Sequence, residues 1–295
     1  SLDSYKFALF YNDAAANSGW GPYNWVSEER INRIKNYMDG KITTSTIPVP
    51  NNPSLWADGY SQGNDNIDYY DYFFKDNVVA NEHNISVTGG SEKIQYYLSA
   101  NYKHNEGVII NNLLKRYNLK VNLDTEIKKW LKVGTSLNLS YSRNNRVPTG
   151  YNIGTSVITR AIEQRPWDSP YRPDGEYAVG GQELANHNPI QALNEEDVYI
   201  DNYRALGSLY MLFNITKDLN FKTTLGEDFN YTEEHIYYSA DHPYGNKVGK
   251  LIDGRKSYAS TLWENVLTYK HSFAEDFSLD VMLGHSIQKD VTSTA

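Results

Sequence analysis

The side chains that ordinarily do chemistry are present in this sequence but are not assembled for it. Seven histidines stand at 83, 104, 187, 235, 242, 271 and 285, none spaced to share a metal from one helix face, and there is no cysteine. Thiolate metal sites, cysteine nucleophiles and disulfides are thereby excluded. The nucleophile elbow GxSxG, the zinc motif HExxH, the phosphate loop GxxxxGK[ST] and the dinucleotide loop GxGxxG are all missing. Carboxylates are abundant, as in Glu195-Glu196-Asp197 or the group Asp65, Asp68 and Asp71. Those three aspartates lack the glycine and terminal glutamate of a calcium loop, so they read as solvated charge. No catalytic residue, cofactor or metal is expected, and the chain is not read as an enzyme.

Recognition chemistry is better represented. The stretch 143–202 holds Tyr151, Trp167, Tyr171, Tyr177 and Tyr199, and its nine carboxylates against five arginines give it −4 of a chain total of −8. Aromatic faces stack on sugar C–H faces or peptide side chains, and neighbouring Asp and Arg groups direct hydrogen bonds to hydroxyls or amides. Tyr151, Trp167, Asp168, Tyr171, Arg172 and Tyr177 are the expected substrate contacts. Packing of the loop is the competing use of each ring, and for any single one it is the commoner use. The acidic balance disfavours strongly anionic ligands, and the lack of a basic cluster sets nucleic acid aside.

The elements that must carry such a stretch follow from periodicity. Tyr117 to Asp124 alternates without error, with Tyr117, Leu119, Val121 and Leu123 on one face and Asn118, Lys120, Asn122 and Asp124 on the other. Residues 131–142 repeat the pattern. Ile94 to Lys103, Tyr203 to Ile215, Leu219 to Tyr231, Ala259 to Tyr269 and Phe277 to Ile287 follow it less strictly, and Asn84 to Thr88 is a short strand. Eight strands are expected over 84–295, with long loops at 143–202 and 232–257. Residues 1–83 read as an irregular loop region, broken by Gly19-Trp20-Gly21-Pro22 and Pro48-Val49-Pro50, with one short helix capped by Ser27 and stopped at Gly40. A second helix is expected from Val157 to Gln164, ended before Pro166.

Tight connections alternate with long ones, so every long loop falls at one end of an up-and-down meander. Tyr102, Tyr117, Tyr141, Tyr203 and Tyr231 lie near that end, while Trp130, Phe221 and Phe277 lie near the other. Two aromatic girdles with short turns below and long loops above are the signature of an antiparallel transmembrane β-barrel with extracellular loops. The longest apolar runs are five residues, so no helix spans a membrane, but a spanning strand needs only ~9–11 alternating residues. The mean hydropathy of −0.63 is compatible with that. A soluble β-rich module, carbohydrate-binding or structural, alternates in the same way and stays open at this level. The chain opens Ser1-Leu2-Asp3 and is expected to be a piece of something longer.

Particular residues carry a resemblance. His83-Asn84-Ile85-Ser86-Val87-Thr88-Gly89-Gly90-Ser91-Glu92-Lys93, then Gln95 to Tyr102, Glu106-Gly107-Val108-Ile109, and Lys115-Arg116-Tyr117-Asn118 through Trp130 to Gly134 closely resemble the SusC/RagA family of TonB-dependent outer-membrane transporters of Bacteroidetes. Tyr171-Arg172-Pro173-Asp174-Gly175-Glu176-Tyr177, Asn188 to Leu193, Leu206 to Tyr210 and Asp3 to Ala15 extend it over nearly the whole chain. The resemblance implies a segment of a barrel of about 22 strands with a plug. It also implies coupling to TonB, a SusD-like surface lipoprotein as lid, a dimer of transporter–lid pairs, an outer-membrane location, and import of oligosaccharides or oligopeptides. No plug or TonB box is visible in these residues.

Overall fold

The computed structural model describes residues 2–18, 26–43, 66–147, 157–167, 170–171, 175–177, 188–242, 245–274 and 277–295. Eight strands form one antiparallel sheet in sequence order: β1 (Ala80–Gly90), β2 (Ile94–Glu106), β3 (Leu113–Lys128), β4 (Leu131–Asn145), β5 (Glu196–Asn214), β6 (Leu219–Tyr238), β7 (Lys250–Ala274) and β8 (Phe277–Thr294). The expected all-β up-and-down meander is therefore the observed one. Among the described residues no helix is long and apolar enough to cross a membrane, which says nothing against crossing by strands.

Register turns alternation into two continuous faces. Tyr102, Tyr117, Tyr141, Tyr203 and Tyr231 are successive cross-strand partners, with His83 opposite Tyr102 at the β1 end. Their rings form one row, with neighbouring centroids 5.0, 6.1, 4.9 and 6.2 Å apart. Toward the short turns a second group runs from Trp130 through Phe213 to Phe221, with centroids 6.3 and 6.2 Å apart. From Tyr203 to Phe213 the chain advances about ten residues, or ~33 Å along a strand, which at a tilt of ~40° is a band ~25 Å tall. That is the hydrocarbon height of an outer-membrane barrel.

Between the girdles the apolar face carries Leu119, Val121, Leu137, Leu139, Leu209 and Leu225, several of them substantially exposed. A soluble sandwich buries such a face under a second layer, and here all eight strands belong to one sheet whose apolar face is open. The row Glu227, Thr261, Lys289 interrupts that face on β6 to β8. Its polar groups are internally bonded in part: the Thr261 hydroxyl donates to Glu227 Oε2 at 2.7 Å.

Beyond the tyrosine row the strands run further than alternation predicts, with β6 reaching Tyr238 and β7 beginning at Lys250. Thr232 to Tyr238 pairs with Lys250 to Lys256, where Ile236 opposite Ile252 and Tyr237 opposite Leu251 stand among charged residues, so neither face is consistently apolar. Water wets both sides of a strand once it leaves the bilayer, so the period-two signal disappears while the ladder persists.

At the same end five helices among the described residues pack in two small cores: α1 (Ser4–Asn17), α2 (Glu28–Met38), α3 (Tyr70–Phe73), α4 (Val157–Glu163) and α5 (Pro189–Asn194). Ser27 caps α2 by accepting from Arg30 N, and Gly40, at φ +72°, follows its C-terminus as expected. The sequence reading missed α1. Asp3 caps it, accepting from Lys6 N, but Leu9 and Phe10 are exposed, so no polar face opposes the buried Ala8 and helical periodicity is blurred.

Candidate substrate-facing site

The inner face of the sheet is a hydrogen-bonded wall. Asn118 Nδ2 donates to Asn101 Oδ1 at 3.2 Å, Asn101 Nδ2 donates to Glu82 Oε1 at 2.9 Å, and Ser136 Oγ donates to Asn122 Oδ1 at 2.9 Å. Arg204 grips Asp228 through Nε at 2.9 Å and Nη2 at 2.8 Å, on neighbouring strands. These paired charges give polarity without a strong net field, and bidentate geometry fixes both side chains. The partners lie far apart in sequence, so only the register reveals them.

One glycine is required by this wall. The Tyr210 ring lies across Gly134 so that its hydroxyl reaches Asp124, and a Cβ at Gly134 would collide with both groups. Lys222 then sits 4.7 Å from the Tyr210 ring centroid. Gly134→Ala is expected to expel the ring and lose ~1–2 kcal/mol. Adding Tyr210→Phe to that variant should cost almost nothing more, whereas Tyr210→Phe alone should weaken the wild-type barrel. A denaturation cycle on the four proteins measures this, and additive losses would refute it.

At the mouth, a cavity of about 490 Å³ is lined by Lys75, Glu106, Asn111, Asn145, Arg146 and Glu196, among others. The Lys75 ammonium lies 3.2 Å from Glu106 and holds that carboxyl below its ordinary range. Arg146 pairs with Glu234 at 2.9 Å. Glu196 differs: its side chain is 5 % exposed, and burial pushes its carboxyl up to about 8. His242 Nε2 is 3.8 Å away, beyond hydrogen-bond reach, so desolvation dominates. Ser239 N donates to Glu195 O at 2.9 Å and Gln191 Nε2 to Asp241 O at 2.9 Å, so the β6–β7 loop is latched over Glu196. In the sequence Glu196 belongs to an acidic run that reads as solvated, and nothing local signals its burial.

A carboxyl raised on folding binds more protons in the native state, so its contribution is complete below the ordinary carboxylate range and is lost as pH rises through about 8. Amide exchange at 239–242, corrected for its intrinsic pH dependence, should therefore accelerate from about pH 5 to about pH 9. Glu196→Gln should flatten that profile. An unchanged slope would show that Glu196 does not control the latch.

The expected contacts separate in the structure. Trp167 is 1 % exposed and packs in a core with Ala8, Val26 and Ile34, its ring edge-on to Phe7 at 5.4 Å. In this arrangement the ring is enclosed by that core. Tyr171 and Tyr177 stack on each other at 5.5 Å against a second core containing Phe73, Ile190 and Leu193, and both stay partly exposed. Asn194 Nδ2 donates to the Tyr177 hydroxyl at 3.0 Å. Tyr151, Asp168 and Arg172 lie outside the described residues, as do Asp65 and the Thr155 or Ser156 cap. Tyr199 stacks on His235 at 4.6 Å and lies under the Arg143 guanidinium at 4.2 Å.

No family model matches the chain. Among curated proteins it is similar to TonB-dependent receptor P3 of Formosa agariphila, 30 % identical over 247 residues, covering 79 % of this chain and 24 % of the relative. It is also similar to TonB-dependent receptor SusC of Bacteroides thetaiotaomicron, 26 % identical over 257 residues, covering 78 % of this chain and 25 % of the relative. Among solved structures, the RagAB peptide transporter matches with a TM-score of 0.68 at 20 % identity, over 99 % of this chain and 33 % of that one. The chain is a segment of a SusC/RagA-like TonB-dependent receptor barrel. It spans about a quarter of the length of the curated relatives it matches. Those curated relatives are TonB-dependent receptors by name, not enzymes. Among the described residues of this SusC/RagA-like segment no cluster of His, Asp and Glu is arranged to hold a metal.

Proposed function

We propose that this segment forms part of the wall and mouth of an outer-membrane importer that takes up an oligomeric polar nutrient, an oligopeptide or an oligosaccharide, beneath a SusD-like lipoprotein lid. The observation that carries the reading is a single sheet with an open apolar face and a hydrogen-bonded inner face, roofed at one end by packed loops. TonB supplies the energy coupling in this reading, and transporter–lid pairs associate as dimers. The likeness to a structure named a peptide transporter supports peptides, and the likeness to SusC supports the same architecture. Tyr171 and Tyr177 are the described ring contacts we assign to substrate, with Asp168 and Arg172 close by in the sequence and Tyr151 earlier in the same loop. Trp167 is assigned to holding the roof.

The test is accumulation of labelled oligopeptides and oligosaccharides by cells carrying or lacking the full-length receptor, with and without TonB. One class should accumulate only when receptor, TonB and lid gene are all present. Uptake of both classes unaffected by loss of the receptor would overturn the reading.

A further inference from the structure

The outer face of the sheet is not uniformly smooth under the tyrosine row. The next row down reads Ile85, Ala100, Leu119, Leu139, Ala205, Phe229 across β1 to β6. Two alanines among larger side chains leave a hollow of about 770 Å³, walled above by the tyrosine rings and lined almost wholly by apolar atoms. A hollow at this depth, directly below a girdle, has the shape and polarity to seat hydrocarbon.

One row above the girdle, on the same face, His104, Lys115 and Arg143 are neighbours across β2, β3 and β4. Two of the three are engaged. Arg143 is gripped by Asp201 at 2.8 and 2.6 Å, which holds that carboxyl below its usual range, and His104 lies 3.5 Å from Glu106. Lys115 has no ion-pair partner among the described residues. It stands about 6–7 Å above the girdle along β3, at headgroup depth over the hollow. An uncompensated ammonium above an apolar slot is complementary to an anionic headgroup above an acyl chain, and to little else a membrane offers.

We propose that the outer face of β1 to β6 binds a phosphorylated membrane lipid, its acyl chain in the hollow over Ala100 and Ala205 and its phosphate on Lys115. This site is separate from the substrate path, which lies on the opposite face of the sheet. It rests on the reading that the sheet stands in the outer membrane. The tyrosine hydroxyls lie between the two parts of the lipid, where its polar linkages would pass.

The experiment uses the full-length receptor, extracted in mild detergent, and native mass spectrometry with two probes: bis-phosphorylated lipid A and the same glycolipid without phosphate. Recovery from the outer-membrane fraction and heat-modifiable migration are checked first, so failure of the membrane reading shows before either lipid is added. The wild type should retain the phosphorylated lipid. Lys115→Glu should reduce that retention about ten-fold by turning attraction into repulsion at headgroup depth. Ala205→Trp, which fills the hollow from the lipid side without touching either core, should reduce retention of both probes. The phosphate-free lipid should bind wild type and Lys115→Glu alike. Equal retention of the phosphorylated lipid by all three proteins would overturn the proposal, as would equal loss of both probes in Lys115→Glu.

Discussion

Leu137→Arg destabilises the folded barrel by ~2–4 kcal/mol in lipid, while Ser136→Arg, one residue away, costs less than ~1 kcal/mol. Leu137 lies near mid-strand on β4, 36 % exposed, between Val121 and Gly207, and its side chain leans over Gly207, where a Cβ would stand 3.3 Å from Leu137 Cδ1. The same row carries Glu227 on that face, beyond Gly207, but its carboxylate already accepts from the Thr261 hydroxyl, and the girdles are too far for the guanidinium to reach water easily. Ser136 faces the hydrogen-bonded inner wall, where an arginine loses one bond to Asn122 and stays wet. Urea unfolding of full-length receptor in lipid vesicles measures both. The reverse order would place water on the apolar face and restore the soluble reading.

The contrast between these neighbours is the same signal that made the strands legible. Tyr117 to Asp124 and 131–142 alternate as strands between an apolar and a wet face must, and the remaining strands follow the pattern less strictly. Legibility fails where that boundary ends. Glu233 and Glu234 both meet water, so β6 continues through residues that look like a loop, and ladder bonds carry it alone. Residues of the roof fail for another reason. Trp167 and Tyr171 are four positions apart and equally aromatic, but they join different cores, set by α1 and α2 for one and by α3 and α5 for the other. Contacts between residues 8 and 167 leave no periodic trace, so the sequence marks both rings as interesting and cannot say which is covered. The inner pairs are intermediate. Arg204 and Asp228 sit on the polar face as expected, but their pairing exists only through the β5–β6 register.

Trp167 carries the other large effect, and it is expected as loss of structure. Removing an indole enclosed by Ala8, Val26, Ile34 and Phe7 opens a cavity beside α1 and α2, so Trp167→Ala should cost ~3–5 kcal/mol. Helix α1 is also tied to this region by Ser4 N donating to Asn66 Oδ1 at 2.9 Å and Asn12 Nδ2 donating to Val26 O at 2.8 Å. The loss should therefore appear as opening of the roof while the sheet, held by its own ladder, unfolds at an unchanged denaturant concentration. Trp167→Phe supplies the discriminating control. The indole N–H has no hydrogen-bond acceptor among the described residues, so a phenyl ring keeps most of the packing, keeps the edge-on contact with Phe7 and forfeits no bond. Limited proteolysis of α1 and α2 in the full-length receptor, alongside substrate uptake, separates the possible roles. A roof role requires that Trp167→Ala become protease-sensitive and lose uptake together, with Trp167→Phe close to wild type in both. Uptake lost by Trp167→Ala with α1 and α2 still protected would instead mean that the ring leaves its core to meet substrate.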